Sequence, residues 1–206
     1  MRRTSLCFLI LTLSGLCFGP ATQAQENADH KTPGMATAPT SGFRAEFLEE
    51  IAYYEQRYTR LAEAMPAEKY TWRPAEGVRS VGEVFTHITA ANYGIARALG
   101  TAPPAGFDPK AIAALSGEKS KVLQALKESF AHFRGAIIAL NEADADKAQN
   151  IFNRHTTLRG SFIAITGHFG EHLGQSIAYA RMNGVVPPWS EDFQKPQPKA
   201  ADKPMP

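Results

Sequence analysis

Apolar residues recur every three or four positions in four separate stretches, and each pattern describes one face of a helix. The first runs through Phe43, Phe47, Ile51, Tyr54, Tyr58, Leu61 and Met65, with Glu46, Glu49, Glu50, Arg57 and Arg60 on the opposite side. Pro66 closes it. The second opens on Ser80-Val81-Gly82-Glu83, a capping box, and carries Val84, His87, Ile88, Ala91, Ile95 and Leu99 inward before Gly100 stops it. The third spans about Gly117 to Leu140, with Val122, Leu126, Phe130, Phe133, Ile137 and Leu140 on its apolar side, and His132 on the flank, where it is expected to be exposed. The fourth covers about Thr157 to Met182 and sets Phe162, Ile165, His168, His172, Gln175 and Tyr179 along one side. Gly184 ends it, and Pro187-Pro188 prevents its resumption. No stretch alternates with strand periodicity and no internal repeat is visible, so the pattern predicts an all-α fold, a four-helix bundle.

The connections refine that expectation. Gly100 to Leu115 contains Pro103, Pro104, Gly106 and Pro109 and reads as a long crossover between the second and third helices. Fully extended it reaches roughly 50 Å, more than the roughly 30 Å of the preceding helix, so the third helix can run parallel to the second. Asn141 to Thr156 is acidic and polar and reads as a loop. Trp72-Arg73-Pro74 with Gly77 is a connector. The bundle is expected over residues 43–190, preceded by a flexible linker over 25–42 and followed by a disordered Lys/Pro tail over 191–206.

The first 24 residues do not belong to the domain. Arg2 and Arg3 precede a short apolar run from Leu6 to Phe18 and a small-residue stretch ending at Ala24, the layout of an export signal. The run is too short for a permanent anchor. Cleavage is expected after Ala24, with Ala21 as the alternative. Ser5 stands where a twin-arginine signal prefers an apolar residue, which favours the general export route. A periplasmic or secreted location follows, with no membrane anchor after cleavage. Both cysteines, Cys7 and Cys17, leave with the leader, so the mature chain has neither disulfides nor thiolate ligands. The leader also takes two of the 22 basic residues and none of the 20 acidic ones, leaving zero formal charge. Nothing in that balance calls for nucleic acid.

The chemistry lies in the histidines. His168 and His172 stand one helical turn apart, the arrangement in which two imidazoles can share a divalent ion. With 6 histidines in 206 residues, a pair at one given spacing is expected about 0.17 times by chance, so the pair needs a third partner. His155 precedes the fourth helix, thirteen residues or roughly 20 Å from His168 along a helix. His132 lies off its inner face, and His30 falls in the linker. His87 alone among the others points into the bundle. Taken by itself, such a residue is more often an uncharged core histidine held by a neighbour. Facing two further imidazoles, it completes a three-nitrogen set with coordination positions left for water or substrate, the pattern of a reactive site and not of a closed structural one.

With these residues in view, the chain resembles the DinB/YfiT-like superfamily. The Trp72-Arg73-Pro74 element with Gly77 and Arg79-Ser80, the inward His87, and His168-x3-His172-x2-Gln175 followed by Asn183-Gly184 and Pro187-Pro188 carry the likeness, from roughly Phe43 to Ser190. The resemblance implies a four-helix bundle of unusual connectivity and metal ligands at His87, His168 and His172. It also implies one divalent ion such as zinc or nickel; three imidazoles accept iron and copper as well. Some relatives use low-molecular-weight thiols in transferase or isomerase reactions. That chemistry belongs in a reducing compartment, whereas this chain carries an export signal.

Expectations for function follow. The main one is an exported metal-dependent hydrolase or transferase acting on a small molecule. The alternative is a non-catalytic metal-binding or partner-binding module. His168-Phe169-Gly170-Glu171-His172 also spells H-x-x-E-H, a metallopeptidase motif in which Glu171 would be the base and Glu191, Asp192 or Asp202 the third ligand. Glu83 could orient His87 or serve as an acid or base, although its capping role competes, and Gln175 could hydrogen-bond a ligand histidine or a metal-bound water, or simply bridge helices. Trp72, Tyr93 and Tyr179 read as packing residues. A homodimer is compatible with a helical bundle, but no face is apolar enough in sequence to argue one.

Overall fold

The computed structural model describes residues 37–190. The expected signal peptide, the linker up to residue 36 and the tail over 191–206 lie outside the described residues. Five helices and one hairpin follow in order: α1 (Phe43–Ala64), α2 (Val81–Ala98), α3 (Pro109–Ala114), α4 (Lys119–Ala139), β1 (Ala148–Ile151), β2 (Arg154–Thr157) and α5 (Leu158–Met182). Short 3-10 turns at Ala67–Lys69 and Glu142–Asp144 join them. None of the described helices is long and apolar enough to cross a membrane.

The helix starts show how local chemistry sets the elements. The capping box at Ser80 forms as the sequence indicates: Glu83 N donates to Ser80 Oγ at 3.2 Å and Ser80 N donates to Glu83 Oε2 at 2.7 Å. Thr157 caps α5 through Gly160 N at 3.0 Å. Helix α1 has no cap of its own. Glu142, just after α4, instead accepts from Phe43 N at 2.8 Å and from Arg44 Nε at 2.9 Å.

Contacts along the long helices fix their relative directions. Lys119 Nζ, at the start of α4, donates to Glu63 O and Met65 O at the end of α1, both at 2.7 Å. At the opposite ends, Arg44 Nη1 donates to Leu140 O at 2.5 Å and to Ile138 O at 3.2 Å. Helices α1 and α4 therefore run in opposite senses. Helix α5 instead advances in step with α1: the Phe47 and Phe162 rings stack at 3.9 Å, and further along Tyr54 and Phe169 stack at 5.4 Å.

Helices α2 and α4 also advance together, because Gly82 abuts Ser116, Asn92 Nδ2 donates to Ser129 Oγ at 2.9 Å, and the Tyr93 and His132 rings lie 5.0 Å apart. The first of these contacts depends on glycine. A Cβ on Gly82 would lie 1.8 Å from Ser116 O.

The apolar stripes meet in one core. Phe169 is fully buried and its ring lies near those of Tyr54, Tyr58, Phe130 and Phe133. Tyr58, also fully buried, donates its hydroxyl to Phe169 O at 2.7 Å. Burying an aromatic side chain of this size typically contributes about 1.5–3 kcal/mol.

Three expectations need correction. The stretch read as a loop over 141–156 contains an antiparallel hairpin, with Ala148 opposite Thr157 and Ile151 opposite Arg154. Its backbone pairing needs no apolar alternation, since Ile151 is the only strand residue that becomes buried. The connection between α2 and α4, read as unstructured, contains α3, which Asp108 caps through Lys110 N at 2.9 Å with Pro109 as the first helical residue. The expected third helix correspondingly begins at Lys119 as α4. Finally, His132 is half-buried against Tyr93, not exposed, and its Nε2 is shielded from solvent without a hydrogen-bond partner.

Candidate metal site

The site is assembled from two helix faces. Helix α2 is anchored at its start: Val81 N donates to Trp72 O at 3.0 Å and Gly82 N to Tyr70 O at 2.9 Å, so the connector fixes the first turn. His87 follows less than two turns later. Helix α5 presents His168 and His172 from the facing side. The ring centroids lie 4.5 Å apart for His87 and His172, 4.8 Å for His168 and His172, and 5.4 Å for His87 and His168. The Nε2 atoms of His87 and His168 are 3.2 Å apart. One nitrogen from each ring lies within 4.8 Å of the other two, so the three could hold one ion.

The donor set suits a divalent metal. Nitrogens on a tetrahedral zinc at about 2.0–2.1 Å are roughly 3.3 Å from one another, close to the separation of the His87 and His168 nitrogens. Protonation does not compete near neutral pH. Burial, with the positive charge of Arg79 next, pushes His87 down to about 4. Burial, followed by His172 and Arg79, pushes His168 to about 4 as well. Both rings are therefore neutral, with lone pairs available for coordination.

His172 is held from behind. Its Nδ1 lies 2.9 Å from Gln175 Oε1, an acceptor that keeps the proton on Nδ1 and leaves Nε2 free to face the other histidines. Gln175 Nε2 in turn donates to Tyr179 Oη at 2.9 Å, and Trp72 packs edge-on against the Tyr179 ring at 5.5 Å. Gln175 is thus an orienting residue, while Trp72 and Tyr179 support it. His168 has no such support: its Nδ1 is buried without a partner among the described residues.

The other candidates fall elsewhere. Both carboxylate oxygens of Glu83 are engaged, one by Ser80 N and the other by Arg73 Nη2 at 3.0 Å. The Ser80 hydrogen bond, helped by Arg73, holds its carboxyl below the usual carboxylate range. That is a cap, not an acid or base facing the imidazoles. Glu171 is exposed on α5, and the group beside the His168–His172 pair is His87. The carboxylates that the peptidase motif would need lie outside the described residues. His155 is exposed on β2 and contacts Asn150.

The hairpin supplies what the sequence reading missed. A cavity of about 530 Å³ opens onto His87 and His168 between α2 and the hairpin tip, walled by Ala91, Ile95, Ala98, Ile151 and Phe152. Phe152 stacks on His168 with ring centroids 5.1 Å apart at 28°. The available signal was small: Ile151-Phe152 is a large apolar pair between two asparagines in an otherwise polar stretch. On the other side of His87, a cavity of about 370 Å³ is lined by Arg79, Glu83 and Thr86.

Solved structures that this chain resembles include two DinB-like proteins. A DinB-like protein from Bacillus cereus ATCC 10987 is 17% identical, with a TM-score of 0.60 over 69% of this chain and 93% of that one. A DinB-like protein from Bacillus subtilis is 19% identical, with a TM-score of 0.45 over 68% of this chain and 94% of that one. The first likeness bears on the fold alone. No curated protein matches the chain. The family model described as the DinB superfamily matches residues 51–176, most of the two helices that carry the histidines and everything between them. The chain belongs to the DinB superfamily.

Proposed function

We propose that this protein holds one divalent ion through His87, His168 and His172 and uses the remaining coordination positions in a hydrolase- or transferase-type reaction on a small molecule. One observation carries the reading: three imidazoles from two separate helices converge, two of them neutral through burial, beside a cavity large enough for a small ligand. Pockets for small ligands typically measure about 300–1,000 Å³. A bound ion supplies Lewis-acid activation at its open positions. The chain's own residues do the rest. Gln175 fixes the His172 tautomer, the capping box fixes the position of α2, and Phe152 of the hairpin stacks on the His168 ring.

In this reading the four long helices form a four-helix bundle in which α2 and α4 run parallel, joined by a crossover that contains α3. The stepwise contacts from Gly82 to Tyr93 along α4 support it. The export signal expected over the first 24 residues supports action outside the cytoplasm, in the periplasm or medium.

The test is elemental analysis of protein purified from that compartment, alongside His87→Ala, His168→Ala and His172→Ala. The expected outcome is about one ion per chain in the parent and a large loss in each variant, with helical circular dichroism retained. Full metal content in His87→Ala would overturn the ligand set.

A further inference from the structure

We propose that Phe152 is a specificity-determining residue, and that the ligand of this site carries a compact apolar group beside the atom it presents to the histidines. The inference rests on the reading of the three histidines as the reactive centre. Phe152 has φ 49° and Asn153 φ 59°, the left-handed pair that closes a two-residue hairpin. Asparagine or glycine is the ordinary occupant of such positions, and a bulky ring there is strained. Core burial does not offset that strain, because Phe152 remains 44% exposed. Strain that packing leaves uncompensated is concentrated at functional sites.

The position of the ring supplies the function. It stacks on His168 and forms the outer wall of the cavity that reaches His87. The opposite wall is kept low. Gly94 lies on α2 between Ala91 and Ala98, and a Cβ built on it would meet nothing within 4 Å. Space has therefore been left on the helix side while an aromatic ring is held over the hairpin side. Apart from the two imidazoles, Asn150 is the only polar side chain in the lining. Such walls reward apolar surface and offer almost nothing to a charged or heavily hydroxylated ligand.

The experiment uses alkyl hydroxamates on zinc-loaded full-length protein, from acetohydroxamate upward in tail length, with titration calorimetry as the readout. The hydroxamate head addresses the ion and the tail addresses the cavity. Affinity should rise about fourfold per added methylene over the first few carbons. Phe152→Gly and Gly94→Leu should both flatten that rise, read within each variant as the ratio of the longer-tailed hydroxamate affinities to its own acetohydroxamate affinity. Phe152→Gly should also melt no earlier than the parent, since it relieves the turn. A second arm adds benzyl alcohol to metal-stripped protein and follows the Ala91, Ile95 and Ala98 methyl resonances. They should shift in the parent and much less in Gly94→Leu.

A flat tail series in the parent, or an undiminished rise in both variants, overturns the proposal. Failure of acetohydroxamate to bind at all would count against the metal reading instead. In that event the methyl shifts decide on the cavity alone: their presence sustains it and their absence overturns it.

Discussion

Two of the seams of helix α5 are built on opposite plans. Toward α1 it packs ring against ring, with Phe47 on Phe162 and Tyr54 and Tyr58 around Phe169, the last fully buried. Toward α2 it presents His168 and His172 to His87 and leaves a cavity of about 530 Å³ beside them. The first seam removes apolar surface from water, and the second keeps polar nitrogen atoms in a half-open space at a cost in packing. One helix can do both because residues 168 and 172 repeat at one turn while 162, 165 and 169 follow a neighbouring line of the same cylinder. The close-packed face and the candidate site are thus divided by azimuth and not by position along the chain.

Breaking the closed seam should have the largest effect. Phe169→Ala is expected to cost about 3–5 kcal/mol in chemical denaturation, since the cavity it leaves lies among four aromatic rings that cannot collapse freely. A cost below about 1 kcal/mol would mean that the α1 seam is not the stable one.

The open seam should respond in affinity. Gln175→Ala releases His172 from its orienting acceptor and is expected to weaken metal binding about 10–100-fold by competition with a chromophoric chelator, with the fold unchanged. Gln175→Glu, which keeps an acceptor, should restore most of it. A structural role alone would not produce that rescue.

The acid response of the metal-free protein separates the seams further. His87 and His168 have folded-state values of about 4, below the ordinary imidazole value of 6.5, so the unfolded chain binds their protons first. Their contribution to stability is complete above about pH 6.5 and is lost as the pH falls toward 4. Thermal melts of the apoprotein should therefore be flat near neutrality and decline through that window. The decline should be shallower in a His87→Gln, His168→Gln double variant. Both rings are only partly buried, so this effect should be smaller than that of Phe169→Ala.

The smallest effect is expected from Glu171→Gln. This exposed carboxylate should alter neither metal content nor the melting temperature by more than experimental error.

These contrasts also explain how much could be read from the residues alone. The long helices were legible because a stripe such as Phe47-Ile51-Tyr54-Tyr58 is written locally, as is the Ser80–Glu83 cap. The convergence of the histidines was legible for the same reason: each lies on the inward stripe of its own helix. The hairpin was not. Its two strands are four residues each, mostly polar, and held by backbone pairing that no side-chain alternation reports. Helix α3 has six residues, too few to show a period. The burial of His132 against Tyr93 depends on how α2 and α4 face each other, a long-range fact absent from either helix's own pattern.

The Gly82 contact limits how the site could be reused. His87 lies five residues further on, roughly 7.5 Å along the axis. A methyl group introduced at residue 82 would lever the whole rod away from Ser116 and carry the imidazole with it. Anyone grafting these three histidines onto another scaffold would have to transplant that bare backbone junction too, or the third nitrogen would arrive in the wrong place.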